Sequence, residues 1–182
     1  MNGCSKATKF VKENKVLTGV LIAGAGVVTY LYLKKQLKEM KKIENVDARQ
    51  CEASEEGRKK KREAYCVEMG ENAIRFAKNS DKINEQSLPT LRKVAKVLKK
   101  SDKTLIYIEG HTDSDGSKKY NQSLSNKRAI SVQNFFTQQG IKSDRIQALG
   151  YGESRLKVDE NGDSNNKALN RRVELRVEGG KA

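Results

Sequence analysis

Hydrophobic residues are concentrated near the N-terminus, where the run at 16–33 contains no charged residue. As a helix, these 18 residues would extend about 27 Å, close to the hydrocarbon thickness of a bilayer. Lysines flank the run on both sides, and Tyr30 and Tyr32 stand where aromatic residues line a membrane interface. The pattern predicts a membrane helix over 16–33. The alternative is a helix buried in a protein core, which the basic flanks and the all-round apolarity disfavour.

Residues 1–15 form a basic N-terminal segment that contains an early cysteine. Gly3 precedes Cys4, which resembles the cleavage motif of bacterial lipoproteins, but the apolar signal that should precede this motif is missing. A lipidated Cys4 and an unmodified cysteine are therefore both open interpretations, and the missing signal favours the unmodified one.

Residues 34–70 are rich in charge and poor in apolar side chains. The apolar residues of the first part recur at intervals of three: Leu37, Met40, Ile43 and Val46. This spacing is typical of a thin apolar stripe on a charged helix, too narrow to form a core alone. We therefore predict a charged helical linker over 34–70.

Two cysteines, Cys51 and Cys66, lie in this predicted linker. In one straight helix they would be about 22 Å apart, far beyond the reach of a disulfide. They can pair only if the chain turns back, for example near Gly57, or if two copies of the chain meet.

From residue 71 onward the pattern alternates between strand-like and helix-like segments. Strands are predicted at 73–77, 104–109, 145–150 and 171–178. Amphipathic helices are predicted at 85–100 and 118–139. The order β-α-β-α-β-β predicts the α/β class, an α+β sandwich with helices on one face of a mixed sheet, and we assign 71–182 to this domain.

Composition changes the picture of what the chain can bind. There are 37 Lys and Arg against 23 Asp and Glu, with a formal net charge of +14. Such a positive charge indicates an anionic partner: a nucleic acid, a lipid surface or an acidic polymer. One histidine and three cysteines exclude a two-histidine metal motif and a four-cysteine zinc site. We expect no cofactor.

Residues 159–165 (DENGDSN) alternate oxygen-bearing side chains, as a calcium loop does. Ser164 stands where such a loop needs glycine, and Asn170 stands where it needs glutamate. We therefore predict a flexible loop rather than a metal site over 159–166.

Several motifs follow in order along the C-terminal half: IYIEGHTD at 106–113, RA at 128–129, GYG at 150–152 and NRRVE at 170–174. Together they resemble the OmpA/MotB C-terminal peptidoglycan-binding domain over residues 72–178. The resemblance implies a domain that binds the diaminopimelate of the cell-wall peptide stem without catalysis. With a membrane anchor at its N-terminus, the chain would tether a membrane or an envelope complex to the wall from the periplasmic side.

The free end of diaminopimelate carries an ammonium and a carboxylate on one carbon, so its site needs an acceptor beside a planar donor. Asp113 offers a carboxylate after a predicted strand, and Arg128 offers a guanidinium suited to bidentate contact. Asn121 and Arg128 are seven residues apart and share one helix face. The resemblance implies that Asp113 and Arg128 are the main ligand groups. The secondary ligand groups it implies are Thr112, Asn79, Asn121 and Arg172.

These candidates also have structural interpretations. Asp113 is suited to capping the following turn, and Asn121 to an exposed helix surface. Arg171 and Arg172 alternate in direction on a strand, so only one of them faces the site, and we choose Arg172. His111 is interpreted as structural, because no nucleophile and orienting acid accompany it.

Two rival functions lead to different expectations. A basic nucleic-acid-binding protein would need stacking aromatics or a basic recognition helix; the chain has six tyrosines, four phenylalanines and no known motif of this kind. A cell-wall-modifying enzyme would need a paired acid and base or a metal cluster. We therefore expect neither enzyme activity nor specific nucleic-acid binding. A homo-oligomer, a larger envelope complex and either bacterial membrane all stay open, while the lack of an acidic residue in 16–33 disfavours a proton-driven stator.

Overall fold

The computed structural model describes residues 25–60, 62–70, 73–76 and 79–179. The strands within these residues are β1 (Asp47–Cys51), β2 (Ala64–Met69), β3 (Thr104–Gly110), β4 (Ile146–Gly150) and β5 (Val173–Gly179). The α-helices are α1 (Ala25–Met40), α2 (Glu55–Lys59), α3 (Leu88–Leu98), α4 (Lys118–Gln138) and α5 (Ser164–Asn170). Short 3-10 turns at Glu85–Ser87 and Ser143–Arg145 precede α3 and β4.

The five strands form one mixed sheet in the order β1-β2-β5-β3-β4. The β3–β4 pair is parallel, and the other neighbouring pairs are antiparallel. Alternation along β5 sends Val173, Leu175 and Val177 into the core. This sheet confirms the predicted mixed α/β architecture, and three of the predicted strands, at 104–109, 145–150 and 171–178, match β3, β4 and β5.

The long helices contribute to one hydrophobic core with the inward residues of the sheet. The residues buried in it include Leu33 and Met40 of α1, Leu91, Val94 and Leu98 of α3, and Ala129, Val132 and Phe136 of α4. The residues on the other sheet face form ion pairs, for example Arg176 with Glu109 at 2.9 Å and Arg172 with Glu174 at 2.6 Å. The long helices α1, α3 and α4 therefore pack on one side of the sheet and form two layers with it.

The predicted helical linker over 34–70 is wrong. The second half of α1 packs on the core, and β1 and β2 extend the sheet beside β5. Val67 and Met69 of β2 have no exposed surface, so the thin stripe of this segment is part of a larger core. The predicted strand at 73–77 is also wrong: in the described part, 73–76, Phe76 makes only an isolated bridge to Ile83, and β2 occupies the place beside β5.

The chain turns back between β1 and β2 at α2, and Cys51 forms a disulfide with Cys66 of the same chain, with a Cα–Cα distance of 5.7 Å. Gly57 of α2 is required there by close contact. A Cβ at this position would lie 2.6 Å from Oε2 of the fully buried Glu178. Of the two pairings left open by the sequence, the structure has the one within a single chain.

The membrane helix predicted at 16–33 lies partly outside the described residues, as do Cys4 and the basic segment 1–15. Residues 25–33 belong to α1, which continues to Met40, and Leu33 is already part of the core. Among the described helices, none combines the length and the apolar character needed to cross a membrane.

The flexible loop predicted at 159–166 is wrong in part. α5 starts at Ser164, and the Asp163 side chain caps it by accepting a hydrogen bond from the amide of Asn165 at 2.8 Å. Glu160 is buried rather than exposed. A helix cap and a buried hydrogen-bond acceptor of this kind order a polar segment even though it contributes no apolar side chains to the core.

Candidate binding site

A cavity of about 610 Å³ lies where β3 ends and α4 begins. β3 ends at Gly110, and the next residues, His111, Thr112 and Asp113, border the cavity. Ser117 caps α4 by accepting a hydrogen bond from the amide of Tyr120 at 3.2 Å. A strand end and a helix start therefore meet at the cavity, and each presents polar groups to it.

Two glycines let α4 approach the ends of β3 and β4. A Cβ at Gly110 would lie 2.4 Å from the backbone oxygen of Ser125, and one at Gly150 would lie 2.2 Å from the backbone nitrogen of Asn126. Only residues without a side chain permit this contact. The close approach brings the α4 residues Asn121 and Arg128 to the same cavity as the loop that carries Asp113.

Asp113 has a specific cationic partner. Arg171 donates from Nη1 to Asp113 Oδ2 at 2.7 Å, and the amide of Asp115 donates to Oδ1 at 3.3 Å. The Asn121 side chain donates from Nδ2 to the backbone oxygen of Asp113 at 3.3 Å and to Glu153 Oε2 at 2.6 Å. Asp113 and Asn121 are both buried, so the loop that carries the carboxylate is held on two sides.

Arg128 lies across the cavity on α4. Its guanidinium carbon is 4.9 Å from the centroid of the Phe76 ring, and its Nε donates to the backbone oxygen of Ser80 at 3.1 Å. These contacts hold a planar donor in a fixed orientation, as stacked arginines often are. Asn79 adjoins them in the left-handed conformation, with φ of 52°, and is exposed at the cavity.

All six predicted site residues border the cavity, but Arg172 has a different setting from the expected one. Arg172 borders the cavity, but its Nε donates to Glu174 Oε1 at 2.6 Å. Its Nη1 donates to the backbone oxygen of Asn170 at 3.3 Å, and its Nη2 to that of Arg155 at 3.3 Å. The arginine that contacts Asp113 is Arg171, the neighbour that the sequence interpretation passed over.

Two polar side chains at the cavity are buried without hydrogen-bond partners among the described residues. They are Thr112, through Oγ1, and His111, through both ring nitrogens. Burial, followed by the positive charges of Arg172 and Arg155, lowers the pKa of His111 to about 3. The ring therefore stays neutral at ordinary pH, stacked at 5.7 Å on Tyr151. The Thr112 hydroxyl is a polar group at the cavity with unused hydrogen-bonding capacity.

Glu160 is a site-organising residue that the sequence interpretation missed. Its carboxylate accepts hydrogen bonds from the Ser114 amide at 3.2 Å, from the Ser114 hydroxyl at 2.5 Å and from Asn170 Nδ2 at 2.9 Å. Burial opposes its ionisation, but these hydrogen bonds outweigh burial and lower the pKa of Glu160. Glu160 thus links the Asp113 loop to the segment before Arg171. No spacing in the sequence singles it out, because the partners lie 46 and 10 residues away.

The charges around the cavity favour an anionic or zwitterionic ligand. Four arginines border it, together with the carboxylates of Asp113 and Asp115; the arginines are Arg75, Arg128, Arg171 and Arg172. Within the described part of the chain, no three His, Cys, Asp or Glu side chains are grouped to hold a metal ion. The arrangement can bind a ligand that carries both an ammonium and carboxylates.

Comparisons with known proteins agree on a family. The sequence model of the OmpA family matches residues 75–171, just over half of the chain. Outer membrane porin F of Pseudomonas aeruginosa is 39% identical over 106 residues, which cover 58% of this chain and 30% of the porin. The peptidoglycan-associated lipoprotein of the same organism is 35% identical over 101 residues, which cover 56% of this chain and 59% of the lipoprotein. The chain thus matches less than two thirds of the length of either relative.

Solved structures share the fold. The cell wall anchor of the T6SS from Pseudomonas aeruginosa superposes with a TM-score of 0.63 at 22% identity, covering 81% of this chain and 96% of that one. The peptidoglycan-associated lipoprotein from Burkholderia pseudomallei superposes with a TM-score of 0.53 at 29% identity, covering 57% of this chain and 87% of that one. The first match extends well beyond residues 75–171, in agreement with a sheet that includes β1 and β2.

Proposed function

The chain belongs to the OmpA family, and from this membership and the cavity we propose that its domain binds peptidoglycan without catalysis, through the diaminopimelate of the peptide stem. The names of two relatives support the wall as the partner: one is a peptidoglycan-associated lipoprotein and another is a cell wall anchor. The single observation that carries the proposal is the placement of Asp113 and Arg128 at one cavity.

The chemistry of each group suggests its part in binding. Asp113 would accept hydrogen bonds from the ligand's ammonium, and Arg128 would donate to the carboxylate on the same carbon. Thr112 Oγ1, buried without a partner among the described residues, would gain one from the bound ligand. Burying such a group unpaired is unfavourable, so a ligand that satisfies it binds more tightly.

Asn79 and Asn121 would support the same site in different ways. Asn79 is exposed at the cavity beside the Arg128 contacts and would contribute its amide to the ligand. Asn121 holds the backbone of Asp113 and would act by positioning it. Arg172, bonded through Nε and both Nη atoms, would act mainly by holding the segment that presents Arg171.

Binding of this kind would make the chain a tether. A membrane-inserted 16–33, or a lipid on Cys4, would anchor it in a bacterial membrane, with the domain on the periplasmic side. Non-covalent binding of peptidoglycan by the domain would then connect that membrane, or a complex in it, to the wall. The positive net charge of +14 supports attraction to anionic peptide stems.

The proposal is tested by co-sedimenting the detergent-solubilised full chain with diaminopimelate-type peptidoglycan. We expect Asp113→Asn and Arg128→Gln to remove most of the bound fraction, because a lost charged hydrogen bond weakens binding about 10- to 100-fold. The matched controls are Asp144→Asn and Lys127→Gln, which make the same charge changes at exposed positions that do not border the cavity. They should bind like the unchanged chain.

Titration with soluble peptides separates specific binding from charge attraction. A stem peptide with diaminopimelate should bind the unchanged chain more tightly than the peptide with lysine, which lacks the terminal carboxylate facing Arg128. If all variants pellet alike and raised salt releases them together, only screened charge attraction is at work, and the diaminopimelate site is refuted. In that case the basic nucleic-acid-binding alternative becomes the better hypothesis.

A further inference from the structure

The outer surface of α1 and α3 is unusually basic. All ten Lys and Arg of residues 30–42 and 88–100 are exposed, and the two ranges contain one acid, Glu39. The ten residues, here called the basic face, are Lys34, Lys35, Lys38, Lys41, Lys42, Arg92, Lys93, Lys96, Lys99 and Lys100. Each helix, with the two lysines that follow its last turn, supplies five of them, so the charge is a property of the packed pair.

The helices hold the basic face together through direct contacts. Gln36 is buried in α1 and donates from Nε2 to the backbone oxygen of Val97 in α3 at 3.1 Å. Lys100 forms an ion pair with Glu39, the one acid of the two ranges. The acids nearest along the chain, Glu44, Glu85 and Asp102, lie beyond the helix ends. Most of the positive charge on this surface is therefore not neutralised by neighbouring carboxylates.

Apolar side chains are exposed next to the basic face. Leu31 is 48% exposed and Tyr32 is 42% exposed, whereas Leu33, on the inner side of the same helix, is 5% exposed. Lys34 and Lys35 follow them directly. Exposed leucine and tyrosine beside lysines are the combination found where helices meet the headgroup region of a membrane.

We infer that the basic face is a docking surface for an anionic lipid bilayer. Charge complementarity supplies the attraction, since each Lys or Arg near an anionic membrane raises the affinity of a polybasic surface for it about fivefold. The sequence supplies the proximity: residues 25–33 of the uncharged run 16–33 belong to α1, and Lys34 to Lys38 follow the run within about 8 Å along the same helix. That distance is comparable to the Debye length at physiological ionic strength.

The docking surface is separate from the proposed wall-binding cavity. Of the described residues that border the cavity, none belongs to the basic face. The inference therefore does not depend on the proposed function, and one domain can face a membrane with its helices while its cavity stays available. A domain with both contacts would hold wall and membrane close together.

The experiment uses the full chain reconstituted in vesicles, because the apolar run is part of the protein. The sequence has no tryptophan, so Arg92→Trp provides a single fluorescent donor on α3 in every variant. The acceptor is a dansyl headgroup lipid, present equally in vesicles of phosphatidylcholine alone and of phosphatidylcholine with phosphatidylglycerol. Energy transfer then reports how close α3 lies to the lipid surface, beyond insertion of 16–33 itself.

We expect greater transfer in the anionic vesicles, falling to the phosphatidylcholine level at raised salt. Replacing Lys93, Lys96 and Lys99 together with Gln should lower transfer in anionic vesicles to that same level, since three lysines change the docking equilibrium about 100-fold. The matched control replaces Lys118, Lys119 and Lys127, which are exposed on α4, with Gln. It should keep the transfer of the unchanged donor chain.

Three results would overturn the inference. Equal transfer in both lipids would mean that the basic face does not recognise anionic headgroups. An equal loss in the α4 control would mean that net charge, not this surface, is responsible. If the substitutions at Lys93, Lys96 and Lys99 leave transfer in anionic vesicles unchanged but reduce pelleting with peptidoglycan, the basic face binds the wall and not the membrane.

Discussion

Arg171 donates from Nη1 to Asp113 Oδ2 at 2.7 Å, so the carboxylate proposed to receive the ligand's ammonium already has a cationic partner. The Asp113 side chain is 12% exposed and that of Arg171 is 33% exposed. A pair this shielded interacts more strongly than a surface ion pair. An incoming ammonium must therefore share Asp113 with Arg171 or displace it, and the pair should influence which ligands bind.

The first prediction is that Arg171→Gln reduces the discrimination between diaminopimelate and lysine. Without Arg171, Asp113 is a less compensated carboxylate and attracts any ammonium, while the positive charge that favours a ligand carboxylate declines. We expect the ratio of the two peptide affinities to fall about tenfold, the size of one charged hydrogen bond. Calorimetric titration with both stem peptides measures it. Lys127→Gln is the control: it removes one positive charge at an exposed position outside the cavity and should leave this ratio unchanged. An unchanged ratio in Arg171→Gln would contradict the prediction.

The second prediction concerns Glu160, whose three donors come from Ser114 and Asn170. Glu160→Gln supplies one acceptor oxygen and turns an amide group towards these donors, so the free energy of unfolding should fall by about 2–3 kcal/mol at pH 7. Binding should weaken as well, because the Asp113 loop loses its link to the Arg171 segment. Urea unfolding and peptide titration measure the two effects. Asp159→Asn, an exposed neighbour, should change neither.

The same residue predicts a pH dependence. The hydrogen bonds lower the pKa of Glu160 in the folded state below the ordinary 4.5. Its contribution is therefore present above the unfolded-state pKa and is lost as pH falls through the folded-state value. Below about pH 4.5 the stability difference between the unchanged chain and Glu160→Gln should shrink. A difference that stays constant down to pH 3 would contradict the assigned hydrogen bonds.

The sequence predicted the central part of this domain because its signals are local. The amphipathic periods of α3 and α4 and the alternation of β5 each arise from burial on one side, which a single segment reveals. β1 (DARQC) lacks such a signal, with Ala48 its one buried residue. It becomes a strand because β2 pairs with it and a disulfide joins the two, which are contacts that no local pattern contains.

The candidate site was predictable to the same extent. Asp113 and Arg128 were identified from motifs, and the structure places both at one cavity. The choice between Arg171 and Arg172 was not predictable, since alternation says that they diverge but not which one faces Asp113. That depends on how the segment before β5 packs, where the Arg172 backbone oxygen accepts from the His111 amide at 3.0 Å. Glu160 was missed for a related reason, because its role is a long-range hydrogen-bond network.

The third prediction uses the single histidine of the chain. Burial, then Arg172 and Arg155, hold the pKa of His111 at about 3 against an ordinary 6.5. Above pH 6.5 the ring is neutral in both the folded and the unfolded state, so the shift has no effect there. As pH falls from 6.5 towards 3 the unfolded state gains a proton that the folded state excludes, and the fold loses stability. At pH 4.5 the loss should be about 2–3 kcal/mol. Urea unfolding at pH 7 and pH 4.5 measures it.

His111→Phe isolates this effect. The ring nitrogens have no partners among the described residues, so phenylalanine keeps the stacking on Tyr151 and removes only the titration. We expect its stability to change less than that of the unchanged chain between the two pH values. In the unchanged chain, the nuclear magnetic resonance signal of the His111 ring should stay constant down to about pH 4. A titration near pH 6.5 would show that the ring is solvated.

The fourth prediction tests how the strand ends position α4. Gly110→Ala places a Cβ 2.4 Å from the backbone oxygen of Ser125, and because backbone cannot rotate aside, α4 must shift. We expect a loss of about 3 kcal/mol in the free energy of unfolding. Peptide binding should fall by a larger factor than the unfolded fraction explains, since Asn121 and Arg128 move with the helix. Gly70→Ala is the control, because a Cβ there meets nothing within 4 Å. If folded Gly110→Ala protein binds the peptide with unchanged affinity, ligand recognition does not depend on the position of α4.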